Sequence, residues 1–90
     1  MGNLFAEIRN NIVVNTIIAD YEFAKLYSEQ NNCDVVEFQE NSQDDTLVAR
    51  IGEIYIDGKF VSVNQAVELG LLTKEDAIQY GYIDYSIINN

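Results

Sequence analysis

Two asparagines, Asn10 and Asn11, divide the start of this chain into two apolar arms, and no other feature constrains the fold as much. Residues 5–9 precede the pair, residues 12–19 follow it, and both arms are rich in β-branched and apolar side chains. Asparagine tolerates the positive φ that a two-residue hairpin turn requires. The stretch AEIRNNIVVNTIIAD therefore predicts a β-hairpin. Its second arm alternates poorly, as expected for a strand that is partly covered on both faces.

A helix is predicted directly after this hairpin. Asp20 is a favourable N-cap residue, because its carboxylate can accept a hydrogen bond from the first turn of a helix. Phe23, Leu26 and Tyr27 then follow one another at the spacing of a single apolar helix face. The pattern indicates a short helix from residue 21 to about residue 29.

The middle of the chain contains further strand signals. Residues 33–38 predict a third strand, and residues 46–50 predict a short one. Asp57-Gly58 separates the apolar arms 54–56 and 59–61. This dipeptide is among the strongest short-range signals for a hairpin, because both central residues of a type I′ turn need positive φ.

The last third of the chain contains two similar units, AVELGLLT at 66–73 and AIQYGYID at 77–84, offset by eleven residues. N-cap residues and helix-ending glycines recur in the same phase: Ser62, Thr73 and Asp84 as caps, Gly70 and Gly81 as glycines. We predict two short helices, at 63–69 and 74–80. Helices of this length must pack on something to be stable.

These elements together predict one small α+β domain. An antiparallel sheet of four or five strands is built from two hairpins, one helix covers it, and two short helices follow. Residues 1–61 form the β-rich core, and residues 62–90 form the capped helices and an apolar tail. With 48% apolar residues the chain can form a real core.

The net charge of −10, from 15 acidic and 5 basic residues, restricts the partners. Such a surface repels phosphate backbones and anionic membranes, so we expect no direct contact with nucleic acid or membrane. The N-terminal residues do not form a secretory signal. No apolar run approaches the ~18–20 residues of a membrane span.

The residues needed for common catalytic and metal sites are missing or badly spaced. The chain has no histidine, and Cys33, its only cysteine, is expected to be a small buried hydrophobe. Counted from Asn41, an EF-hand would need glycine and glutamate where Thr46 and Gly52 stand. We predict no catalytic residues, no cofactor and no enzyme activity; only a loose divalent site in the loop 39–45 stays open.

Two groups of residues are candidates for binding a partner protein. The first is the aromatic and aliphatic cluster near the C-terminus, which either joins the domain's own core or contacts a neighbour: Tyr80, Tyr82, Ile83, Tyr85, Ile87 and Ile88. The second, an alternative, is the acidic cluster of the polar loop: Glu40, Asp44 and Asp45.

Three segments resemble small virion-associated proteins of tailed bacteriophages: AEIRNNIVVNTIIAD (6–20), EFAKLYSEQNNCDVVEF (22–38) and IGEIYIDGKF (51–60). The resemblance implies a structural or accessory role in a tail, baseplate, fibre or capsid, with no active site. Its expected partners are other virion proteins or further copies of the chain. Its expected location is the virion, after synthesis in the host cytoplasm. The family often has tryptophan where Glu53 and Ile54 stand, and its short members lack the C-terminal helix pair.

The charge leaves a second function open. An acidic phage-encoded inhibitor would bind a basic host protein, such as a defence or nucleic-acid enzyme, by protein contact or by mimicking nucleic acid. That interpretation depends on the clustered carboxylates and not on the resemblance.

Overall fold

A computed structural model describes residues 2–81 and contains one antiparallel sheet with helices against it. Its strands lie in the order β3-β1-β2-β4-β5. The elements are β1 (Asn3–Arg9), β2 (Ile12–Ala19), α1 (Tyr21–Asn31), β3 (Asp34–Phe38), β4 (Ile54–Ile56), β5 (Lys59–Val61), α2 (Val63–Glu68) and α3 (Lys74–Ile78). The α+β fold with a five-stranded sheet is as predicted.

Both predicted hairpins are present, and their turn residues have the required backbone geometry. Asn10 and Asn11 have φ of 52° and 65°, and Asp57 and Gly58 have φ of 53° and 75°. Two successive residues with positive φ define the type I′ turn, whose twist matches that of the strands it joins. The first hairpin is longer than predicted, because β1 begins at Asn3.

An irregularity in β2 determines how far the sheet continues on that side. Glu7 pairs with Asn15 and Ile8 pairs with Val13, so Val14 is an extra residue, a β-bulge. A bulge bends its strand and increases the local twist. Before the bulge, β2 pairs with β4, and the backbone N–H of Gly52 donates to the Val13 carbonyl at 2.8 Å. Beyond it, β2 forms no further pairs with β4 in the described residues.

Helix α1 covers one face of the sheet. The Asp20 carboxylate accepts a hydrogen bond from the backbone N–H of Phe23 at 2.7 Å, which confirms the predicted N-cap. The helix continues to Asn31, two residues beyond the predicted end, and Asn32 terminates it in the left-handed conformation with φ of 52°. Beneath it lies a cluster of buried residues: Phe5, Ala19 and Ala24.

The opposite face of the sheet is covered by the chain between β3 and β4. Residues 45–47 form a 3₁₀ turn here, so the predicted strand at 46–50 is wrong. The Asp44 carboxylate accepts bonds from the backbone and hydroxyl of Thr46, which favours the turn over an extended backbone. Ala49 then packs into a cluster on this face: Ala6, Ile8, Val13, Ala49 and Phe60.

The C-terminal helices pack on the β4–β5 end of the sheet. Ser62 and Thr73 each accept a backbone hydrogen bond at 3.1 Å, from Gln65 and Asp76, as the capping pattern predicts. The helices end at Glu68 and Ile78, earlier than predicted. Gly70 and Gly81 take the expected positive φ, 75° and 92°. The third predicted cap, Asp84, lies outside the described residues.

Replacing Gly58 tests the second turn. Gly58→Ala is expected to lower the free energy of unfolding by about 1–2 kcal/mol, because an L-residue is strained at this positive φ. No atom lies within 4 Å of the added Cβ, so the loss would report backbone strain alone. Urea unfolding measures it. As a control, Asn10→Gly should change the free energy of unfolding little, since glycine accepts the same positive φ. Equal free energies of unfolding for the wild type and Gly58→Ala would contradict the turn geometry.

Candidate partner-binding surfaces

Of the predicted C-terminal contact residues, the structure describes only Tyr80. Its ring is half-buried and packs against the cluster of Ile54, Val61 and Ala66. Its hydroxyl accepts a hydrogen bond from Asn11 Nδ2 at 3.3 Å, which links Tyr80 to the first hairpin. At this position the ring therefore belongs to the domain's own core. The others, Tyr82, Ile83, Tyr85, Ile87 and Ile88, lie outside the described residues.

The predicted acidic surface is partly occupied by local interactions. The hydrogen bonds from Thr46 hold the pKa of the exposed Asp44 carboxyl below its ordinary value. Asp45 forms an ion pair with Arg50, with 2.5 Å between Oδ1 and Nη2. Glu40 is exposed to solvent. Two of the three carboxylates thus stabilise the loop in which they lie.

One buried carboxylate, that of Glu7, is not among the functional residues that the sequence predicts. Glu7 is only 5% exposed, and it accepts hydrogen bonds from the Tyr27 hydroxyl at 2.7 Å and from Arg9 Nε at 2.8 Å. These two donors, with a further hydrogen bond from Asn15, lower the pKa of Glu7 despite its burial. The parity of β1 was the available signal, because Glu7 shares a face with Phe5. The arrangement holds an ionised carboxylate between α1 and the sheet.

Cys33 lies just before β3, beside an open groove of about 450 Å³ at the C-terminal end of α1. The residue is only half-buried, where a small buried hydrophobe was expected. Burial raises the pKa of the thiol, so the reactive thiolate is disfavoured at neutral pH. The groove is lined by polar groups from Arg9, Asn10 and Asn32.

Large apolar side chains are exposed around the part of β2 that follows the bulge. Val14 is 41% exposed and Ile18 is 74% exposed. Ile51 is 65% exposed and lies next to this segment, since the following residue, Gly52, bonds to Val13. These residues border the strand where it leaves β4.

Phe23, on α1, extends this group on the other face of the sheet. The Tyr21 hydroxyl donates to Glu37 of β3 at 2.9 Å, so Tyr21 marks the flank of α1 above that strand. Phe23 is about 200° further round the helix. It therefore lies on the opposite flank of α1, and it is 53% exposed. We call these four residues the apolar edge surface: Val14, Ile18, Phe23 and Ile51.

The backbone edge of β2 is open along the same segment. Within residues 2–81, β1 pairs along one edge of β2. The other edge of β2 pairs with β4 only at Ile12. Residues 14–19 thus have no strand neighbour on that side in the described part of the chain. Such an edge presents unpaired N–H and C=O groups to any incoming strand.

Comparisons of the chain with protein families, with curated proteins and with solved structures found no match. In the described residues, no helix is long and apolar enough to cross a membrane. Over the same part of the chain, no three His, Cys, Asp or Glu side chains are grouped so that they could hold a metal ion.

Proposed function

We propose that this chain is a non-enzymatic structural or assembly protein of a tailed bacteriophage, which binds other virion subunits or further copies of itself. The apolar edge surface carries this proposal. Exposed apolar side chains grouped on a small domain mark a site of contact with another protein. Ile18 and Ile51 are mostly exposed, although aliphatic side chains of this size are among those most often buried.

The resemblance to virion-associated proteins supplies the biological setting. The three segments that carry it coincide with the β1–β2 hairpin, with α1 and β3, and with the β4–β5 hairpin. Together these make up the sheet and its covering helix. We therefore place the protein in the virion, after synthesis in the host cytoplasm, with the sheet as scaffold and its open edge as contact.

The C-terminal segment is a second proposed contact. Tyr80 bonds Asn11 and packs against the β4–β5 cluster, near the end of the described residues. Tyr82, Ile83, Tyr85, Ile87 and Ile88 follow immediately in the sequence. Tyrosine with aliphatic neighbours is typical of the centre of protein interfaces.

Quantitative mass spectrometry of purified virions tests this function. Virions of the phage that encodes the chain should contain it at a fixed ratio to the known structural subunits, in more copies than contaminating host proteins. The ratio should survive a second purification by density. A protein that is abundant in infected cells but absent from purified particles would contradict the proposal.

The net charge favours one alternative, an acidic inhibitor of a host defence or nucleic-acid enzyme. In that case Glu40, Asp44 and Asp45 would contact a basic site, and binding would weaken steeply with salt. We place it second, because Asp44 and Asp45 already make bonds within their own loop.

A further inference from the structure

The segment of β2 beyond the bulge has neither of the two residue types that most often prevent strand edges from pairing, a charged residue or a proline. Natural edge strands are protected by charged side chains, by proline, by a β-bulge that twists the edge away or by a covering element. The bulge at Val14 lies at the start of this edge, and residues 15–19 beyond it keep a regular register with β1. Ile12–Ala19 contains no charged residue and no proline, although the chain carries a net charge of −10. Within the described residues, nothing pairs with the edge of residues 14–19.

The other long edge of the sheet shows the contrast. The outer edge of β3 also has no strand neighbour in the described part of the chain, but two of its five residues, Asp34 and Glu37, are acidic. A second copy brought to this edge would place carboxylates beside carboxylates, which is unfavourable. The two edges therefore differ in what they can accept. β3 repels a copy of itself, and β2 does not.

We propose that β2 pairs edge to edge with β2 of a second copy of this chain, giving a symmetric dimer with one continuous sheet. The strand that best fits this edge is uncharged, because residues 14–19 present only uncharged side chains, apolar ones with Asn15 and Thr16 between them. β2 itself is such a strand, with Ile17 on one face and Ile18 on the next. An antiparallel pair of identical segments also satisfies the two-fold symmetry of most homodimers.

The size of the contact predicts its strength. Six residues of strand span about 20 Å. Together with the four side chains of the apolar edge surface, they would bury on the order of 1,000 Å², the lower limit of specific interfaces. The dimer should therefore be weak, and the like charges of the two copies should weaken it further at low salt. Self-association should therefore become stronger as salt is added. Binding of a basic partner to an acidic surface would instead become weaker.

Sedimentation equilibrium of the full chain tests the proposal, over about 1 μM to about 1 mM protein, where weak association is measurable. The wild type should show a monomer–dimer equilibrium whose dimer fraction rises between about 0.02 M and about 0.5 M salt. Ile18→Glu should weaken the dimer by at least about tenfold, since it places two carboxylates at the joined edges. Ile78→Glu is the matched control: Ile78, on α3, is 62% exposed and receives the same charge.

The outcomes separate self-pairing from other uses of this edge. A dimer strengthened by salt and disrupted by Ile18→Glu, but not by Ile78→Glu, supports the proposal. A wild type that stays monomeric at all concentrations overturns it, as does a dimer that both variants weaken equally or that salt weakens. If circular dichroism shows that Ile18→Glu does not fold, Ile51→Glu replaces it as the test variant. Ile51 lies outside β2, so its substitution does not change the strand itself. The virion assignment does not depend on these results, since a monomer can also be a virion subunit.

Discussion

Phe60→Ala is expected to lower the free energy of unfolding by about 3–5 kcal/mol. Phe60 is 3% exposed and joins β5 to the far side of the sheet. Its ring centroid lies 4.8 Å from that of Tyr55 and 6.2 Å from that of Phe38 on β3. Removing the ring leaves a cavity where these strands and the 39–53 connection meet. Because domains of this size have marginal stability, the loss is a large part of the total.

Phe23→Ala is the matched control for this effect. It makes the same chemical change on α1 at a side chain that is 53% exposed, and it should cost less than about 1 kcal/mol. Urea denaturation followed by circular dichroism compares the two variants. Equal losses would contradict the placement of Phe60 in the core and of Phe23 at the surface.

Stability is expected to fall in acid as Glu7 becomes protonated. The Tyr27 hydroxyl and the Arg9 guanidinium hold the pKa of Glu7 below its ordinary value of 4.5, so the unfolded chain binds a proton at this residue more readily than the folded one. The contribution of Glu7 is therefore complete above its ordinary pKa. It is lost as the pH falls from there through the lower pKa of the folded state.

Glu7→Gln isolates this contribution. At neutral pH it should lower the free energy of unfolding by about 2–3 kcal/mol, because a buried, charge-assisted hydrogen-bond network loses its ionised acceptor. The difference from the wild type should narrow as the pH falls below the ordinary pKa of glutamate. Glu68→Gln, at an exposed position on α2, should change stability by less than about 0.5 kcal/mol. A difference for Glu7→Gln that does not depend on pH would contradict the network.

Features governed by local chemistry could be predicted from the sequence. Asn10-Asn11 and Asp57-Gly58 identified both turns, because few residue pairs accept positive φ twice in succession. Asp20, Ser62 and Thr73 located the helix starts, since each side chain bonds a backbone N–H three residues later. These signals act over two to four residues, so the rest of the fold does not alter them.

Features that depend on distant contacts could not be predicted. The bulge at Val14 depends on how β1, β2 and β4 share one twisted sheet, and nothing in IVVNTIIA marks it. At 46–50 the Asp44–Thr46 hydrogen bonds explain the 3₁₀ turn locally, but the packing of Ala49 into the cluster with Ile8 and Phe60 joins residues that are remote in sequence. The parity of β1 places Glu7 on the face of Phe5, but its hydrogen bond from Tyr27 required α1 to pack over β1.

The candidate contact surface could likewise be predicted only in part, because some of its features are local in sequence and others depend on distant contacts. The poor alternation of residues 12–19 indicated a strand covered on both faces, but not that half of one edge would remain open. The sequence predicts a contact in the last eleven residues, and of those candidates only Tyr80 lies within the described residues. The apolar edge surface depends on the bulge, on the end of β4 and on the flank of α1, and contacts between distant residues determine all three.

Amide hydrogen exchange of residues 14–19, measured in dilute and in concentrated protein, tests whether this edge of β2 pairs with a second copy of the chain. Peptic peptides that cover β2 beyond the bulge should exchange more slowly in the concentrated sample, because the second copy bonds their exposed backbone groups. Peptides from β3, residues 34–38, should exchange at the same rate in both samples. Exchange of residues 14–19 that is unchanged by concentration, whether fast or slow, would contradict the account.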